Sequence, residues 1–155
     1  MSETYKTASA DPDRARRMEN DAVSYFLAAQ KLLHGESDAS ILVFLQMPVN
    51  FLIAQCCELV LKSLLSARGW DKKRLHLVRH DLEELARIAG EEGIALDPGF
   101  IRYCKIMRDP HRNFDFRYSG AQGPAFINPF VALAMIKPQI EANAHHGVPA
   151  PSTAS

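Results

Sequence analysis

The sequence predicts an all-α fold, an up-and-down bundle of about five helices, and three observations carry it. Apolar residues recur at spacings of three and four in several separate segments, the period of one buried helix face. Capping and stopping residues bracket those segments: Asp-Pro or Asn-Pro at the starts, glycine or proline at the ends. Alternation of the strand kind is confined to one passage, residues 111–127, where an irregular or hairpin-like segment is expected before the last helix.

The elements follow in chain order. Residues 1–10 are small and polar without a period and read as a flexible arm. Asp11 and Asp13 with Pro12 between them open a first helix to Leu33, with Met18, Ala22, Tyr25, Phe26, Ala29, Leu32 and Leu33 as its apolar face. His34-Gly35 stops it. Ser37 or Asp38 caps the central helix, residues 41–68, the longest apolar segment in the chain, which ends at Gly69. Pro48 predicts a kink in it, or a helix start near Met47. Residues 70–79 read as a loop or short irregular segment bearing a basic run, either solvated surface or a phosphate contact. His80-Asp81-Leu82 opens a third helix that buries Leu82, Leu85, Ile88 and Ala89. Asp97-Pro98 opens a fourth, with Phe100, Ile101, Cys104 and Met107 inward and Pro110 closing it. Asn128-Pro129 caps the last helix, with Phe130, Leu133, Ala134, Ile136 and Ile140 inward around Pro138. Residues 11–146 thus form one helical domain, and residues 147–155 a disordered tail.

The central segment is long enough to cross a bilayer, which takes roughly 20 apolar residues. Gln46, Asn50, Gln55 and Glu58 argue against that, since each would need a partner in hydrocarbon. Gln55, Glu58, Lys62 and Ser66 form one polar stripe on an otherwise buried helix, a core helix with a wet or partner-facing edge. Lys and Arg number 18 against 18 Asp and Glu, so no global field draws nucleic acid or anionic lipid, and any such contact must be local. Cys56, Cys57 and Cys104 read as reduced core cysteines of a cytoplasmic protein, and their spacing to histidine does not suggest a metal site. The polar, acidic N-terminus is unlike a signal peptide. No glycine-rich phosphate loop, nucleophile elbow or paired-carboxylate site is present, which argues against a conventional nucleotide hydrolase or a metalloenzyme, and no cofactor is expected.

Residues 56–65, CCELVLKSLL, followed by a loop and RHDLEEL at 79–85, resemble the helical HEPN superfamily (higher eukaryotes and prokaryotes nucleotide-binding). In such proteins a Glu-x-x-x-Lys helix, matched by Glu58 and Lys62, precedes a His-Asp-Leu helix start, matched by His80, Asp81 and Leu82. Phe116-Arg117-Tyr118 is similar to the segment before the final helix in many bacterial members. The resemblance spans roughly residues 15–140 and implies a helical bundle, usually a homodimer, associated with RNA or nucleotide chemistry and with toxin–antitoxin or defence systems. A nucleotidyltransferase or an antitoxin is then a possible protein partner.

Active proteins of this type are metal-independent endoribonucleases with an arginine four to six residues before a histidine, which supply phosphorane stabilisation and proton transfer. Here the spacing departs from that pattern: Arg108 and His111 are three positions apart with Pro110 between them, and Arg74 and His80 fall before the third helix. Three readings therefore stand open. A non-catalytic module would bind nucleotide, RNA or a protein through Glu58, Lys62, His80, Asp81, Arg117 and Tyr118. A divergent ribonuclease would use His111 as acid or base and Arg108 or Arg112 on the phosphate. A structural dimerisation domain would leave these as surface pairs; Glu58 and Lys62 have the favourable order for a helical ion pair.

Overall fold

The structure, a computed structural model, describes residues 11–112 and 127–144. The expected arm and tail, and residues 113–126 of the expected pre-helix segment with Arg117 and Tyr118, lie outside the described residues, while residues 111–112 of that segment are helical, not extended. Among the described residues the fold is all-α, without strands: α1 (Pro12–Leu33), α2 (Ala39–Ala67), α3 (Lys72–Val78), α4 (Leu82–Glu91), α5 (Pro98–Ile106), α6 (Arg108–Arg112) and α7 (Pro129–Ala144). Five longer helices build the bundle, and the two short ones, α3 and α6, border the candidate site.

Side-chain caps set the helix starts. Asp11, Asp38, Asp71, Asp81 and Asp97 each accept a backbone N–H from the first turn of α1, α2, α3, α4 and α5. Asn128 does the same for α7 through Phe130 and Val131. α2 is the central element: α1 packs chiefly along it, and α4, α5 and α7 cover its other sides. Ile53, Leu61, Leu65, Leu82, Leu85, Phe100, Tyr103, Met107 and Ile136 are fully buried where these helices meet. Asn50 is also fully buried and satisfied, donating to the carbonyls of Gln46 and Ile127 at 2.9 Å each. Among the described helices α2 alone is long and apolar enough to span a membrane, and a third of that stretch is buried inside the bundle.

The structure differs from the sequence reading at several points. α2 runs unbroken through Pro48 instead of starting near Met47. Proline frees the carbonyl four residues back, that of Phe44, and both residues lie on the exposed side where water can satisfy it. Residues 72–78 are helix, not loop, because Asp71 caps them and Arg74 stacks 3.6 Å over the Trp70 ring. Pro110 does not close α5; it sits inside α6, within the first turn, where the missing N–H has no intrahelical acceptor to lose. Leu32, Ile101 and Phe130 are 42%, 44% and 43% exposed, and Ala134 is exposed too. Ile101 is turned about 100° from its buried neighbour Phe100. On α7 the buried face is Ala132, Ile136, Gln139, Ile140 and Asn143, so two polar residues occupy core positions that apolar periodicity would not assign. Gln139 accepts the Asp97 N–H at 2.6 Å and donates to Asn143 at 2.9 Å.

Candidate functional site

Three chain segments converge on the polar stripe of α2. The stripe presents Glu58 and, one turn on, Lys62. The α3–α4 connection supplies His80 and Asp81. Just before them Arg79 adopts φ 57° and ψ −120°, a left-handed conformation costly for a side chain with Cβ, so the turn is held there by its surroundings. α6 supplies Arg108, His111 and Arg112, which one helical turn places on the same side.

Glu58 is the centre, its side chain only 4% exposed. Its Oε1 accepts from Lys62 Nζ at 2.6 Å, its Oε2 from His111 Nε2 at 2.6 Å, and both oxygens lie 3.0 Å from His80 Nδ1. An ionised carboxylate only accepts, so both imidazole nitrogens carry the proton in these contacts. Burial alone would push the Glu58 carboxyl up, but the hydrogen bonds from His111, Lys62 and His80 together with the Lys62 charge outweigh it and hold it at about 2. The two imidazole rings stand edge to face with centroids 6.0 Å apart.

Beside this cluster lies a carboxylate–guanidinium network. Asp81 caps α4 through the Glu84 N–H at 3.1 Å and takes both Arg108 Nε, 3.1 Å from each oxygen, and Arg108 Nη2 at 3.0 Å. Arg108 also reaches Glu83 at 3.3 Å, and Arg112 stands 3.7 Å from Asp81. Partial burial works against ionisation of Asp81, but the Glu84 N–H, Arg108 and the Arg112 charge hold its carboxyl below the ordinary value.

A groove of about 810 Å³ opens over these residues. Lys62, His76, Arg79, His80 and Arg112 line it, opposed by Asp81 and Glu84. A second pocket of about 640 Å³, largely apolar, lies between α1 and α7 around Leu27, Leu33, Phe130 and Leu133.

Of the sequence-derived candidates, Glu58, Lys62, His80, Asp81, Arg108, His111 and Arg112 therefore share one region. Their dispositions differ from those expected. His111, read as the acid or base, points inward at 4% exposure onto Glu58, whereas His80 is 42% exposed at the groove. Arg108, read as a phosphate group binder, is committed to Asp81 and Glu83, while Arg112 is 55% exposed. His76 and Arg79 were not singled out in the sequence, though the basic run at 70–79 marked their neighbourhood. Glu58, His80 and His111 bring three ligand-type atoms within 4.8 Å of one another. Separations of 22 and 53 residues from Glu58 hide that cluster from any local spacing rule.

Fold and site together define an all-α protein with a buried carboxylate–imidazole–ammonium cluster at the edge of a groove lined by Lys62, Arg79 and Arg112. Comparison of the chain with protein-family models, with curated proteins and with solved structures finds no match.

Proposed function

We propose that this protein is a binding module for phosphate groups of a nucleotide or single-stranded RNA, held in the groove bordered by α3, α4 and α6. The observation that carries the reading is the groove lining, where the cations Lys62, Arg79 and Arg112 outnumber Asp81 and Glu84, and His76 and His80 add imidazole hydrogen-bonding groups. A balanced overall charge confines attraction for anions to such a patch. Arg112 at 55% exposure offers a planar donor fork that suits phosphate, and Asp81 orients it without enclosing it. The resemblance to HEPN proteins adds a context, a non-catalytic module of toxin–antitoxin or defence type. The test is binding of a short single-stranded RNA in a chelating buffer, across a salt series. Affinity should fall steeply with salt, and Arg79→Ala and Arg112→Ala should each reduce the logarithmic salt slope by about 0.7. Affinity indifferent to salt and to both substitutions rejects the reading.

One observation favours a second reading, cleavage of the bound RNA. Glu58 holds His80 by Nδ1 at 3.0 Å, and a carboxylate-oriented imidazole at a groove surface is the arrangement of general acid–base catalysis. Cleavage in the same chelating buffer, lost with His80→Ala, would select it; binding with intact RNA selects the first.

A further inference from the structure

We infer that Glu58, His80 and His111 form a mononuclear site for a divalent transition metal, zinc by the character of its donors. The inference goes beyond the phosphate reading and does not depend on it. Two imidazole nitrogens and one carboxylate are the borderline donor set that zinc and its first-row neighbours prefer over calcium or magnesium, which favour oxygen cages. The three ligating groups come from separate elements, α2, the α3–α4 turn and α6, and their donor atoms lie within 4.8 Å of one another. Each imidazole aims the nitrogen that would ligate at the same oxygen: His111 Nε2 lies 2.6 Å and His80 Nδ1 3.0 Å from Glu58 Oε2. Ligands at about 2.0–2.2 Å around a tetrahedral zinc stand roughly 3.3–3.5 Å apart, so the two contacts to Glu58 Oε2 open by less than about 1 Å as the ion enters.

The surroundings fit a ligand shell. Lys62 occupies Oε1 at 2.6 Å, the way a hydrogen-bonded neighbour fixes a ligating carboxylate, and leaves Oε2 to the metal. Lys62 also repels a cation, a cost that the negative charge of Glu58, held between the two, offsets in part. Zinc ligates neutral imidazoles, so the proton now on His80 Nδ1 and on His111 Nε2 passes to solvent while His80 Nε2 and His111 Nδ1 each carry one in the bound state, with no change of oxidation state. His80 is the exposed member, so the fourth coordination position faces the groove.

The experiment takes the full chain stripped with a chelator and dialysed against zinc chloride alone, with bound metal counted by mass spectrometry and affinity measured by calorimetry. Cobalt(II) in place of zinc reports tetrahedral nitrogen–oxygen ligation through its visible absorption. The expected result is one zinc per chain, a raised melting temperature, and at least a tenfold loss of affinity in His80→Ala, with His76→Ala unchanged. His80→Ala empties no core position, so its fold is retained and can be confirmed by circular dichroism. Absence of zinc uptake by the folded chain, uptake that His80→Ala leaves intact, or uptake that follows His76 instead of His80 overturns the inference. No RNA or nucleotide enters the measurement, so its failure is separate from failure of the phosphate reading.

Discussion

Glu58→Gln is the perturbation whose effect the structure determines most fully. The side chain is 4% exposed and holds Lys62, His80 and His111. The amide keeps the shape but removes the charge, and its NH₂ meets donors where Oε1 or Oε2 had accepted. Removing one partner of a buried ionic cluster typically costs 3–5 kcal/mol, because the remaining charge stays buried. The depression of Glu58 from 4.5 to about 2 gives an independent figure of about 3 kcal/mol for the carboxylate interactions. In a chain of this size that lowers the melting temperature by about 10 °C. The sign with pH also follows. A depressed carboxyl contributes stability that is complete above 4.5 and is lost as pH falls through about 2. Urea denaturation of wild type and variant at neutral pH and at points through that acid window measures both effects, with chelator present. The wild type should lose its advantage as pH falls, so that the two curves converge. A loss at neutral pH under about 0.5 kcal/mol, the size of an ordinary surface substitution, would refute the reasoning.

Other expectations rest on different parts of the molecule. Arg79→Gly should raise stability by about 1 kcal/mol, because glycine tolerates φ 57° without the Cβ clash; denaturant midpoints check it, and a clear loss would mean the turn is not strained. Gly99→Ala should destabilise by about 1–3 kcal/mol, since the new Cβ would fall 2.9 Å from the Met135 carbonyl oxygen where α5 meets α7; thermal melts suffice. Cys56, Cys57 and Cys104 are buried, and burial pushes the Cys56 thiol up to about 12 and Cys57 higher than its ordinary value. Alkylation should therefore be slow in the native protein and prompt in denaturant, read by mass spectrometry.

The helix class was legible because each level of the sequence agreed with the next. Aspartate caps stood before apolar-periodic runs, and Asp11, Asp38, Asp81 and Asp97 cap the helices they announce. Misassignments arose where tertiary structure overrides a local rule. Local rules make Pro110 a terminator, yet it fits a helical first turn, and apolar periodicity misplaces the α7 face because Gln139 and Asn143 are buried by hydrogen bonding, Gln139 to the Asp97 N–H and to Asn143. Glu58–Lys62 was visible as an i,i+4 pair. Its completion by His80 and His111 was not, since nothing local couples residues 22 and 53 positions away. Which histidine faces the groove is likewise decided by the turn at Arg79 and the direction of α6, neither of which periodicity encodes.

The central claim, that the groove beside the Glu58 cluster receives phosphate, is tested most directly by nuclear magnetic resonance. Side-chain resonances of arginine, lysine and histidine would be followed while a short oligoribonucleotide is titrated into the full chain. The account predicts that Arg79, His76, His80, Lys62 and Arg112 respond together and saturably, with Lys31 and His34 at the apolar pocket still. Perturbations confined to the α1–α7 pocket, or none at saturating RNA, would contradict it.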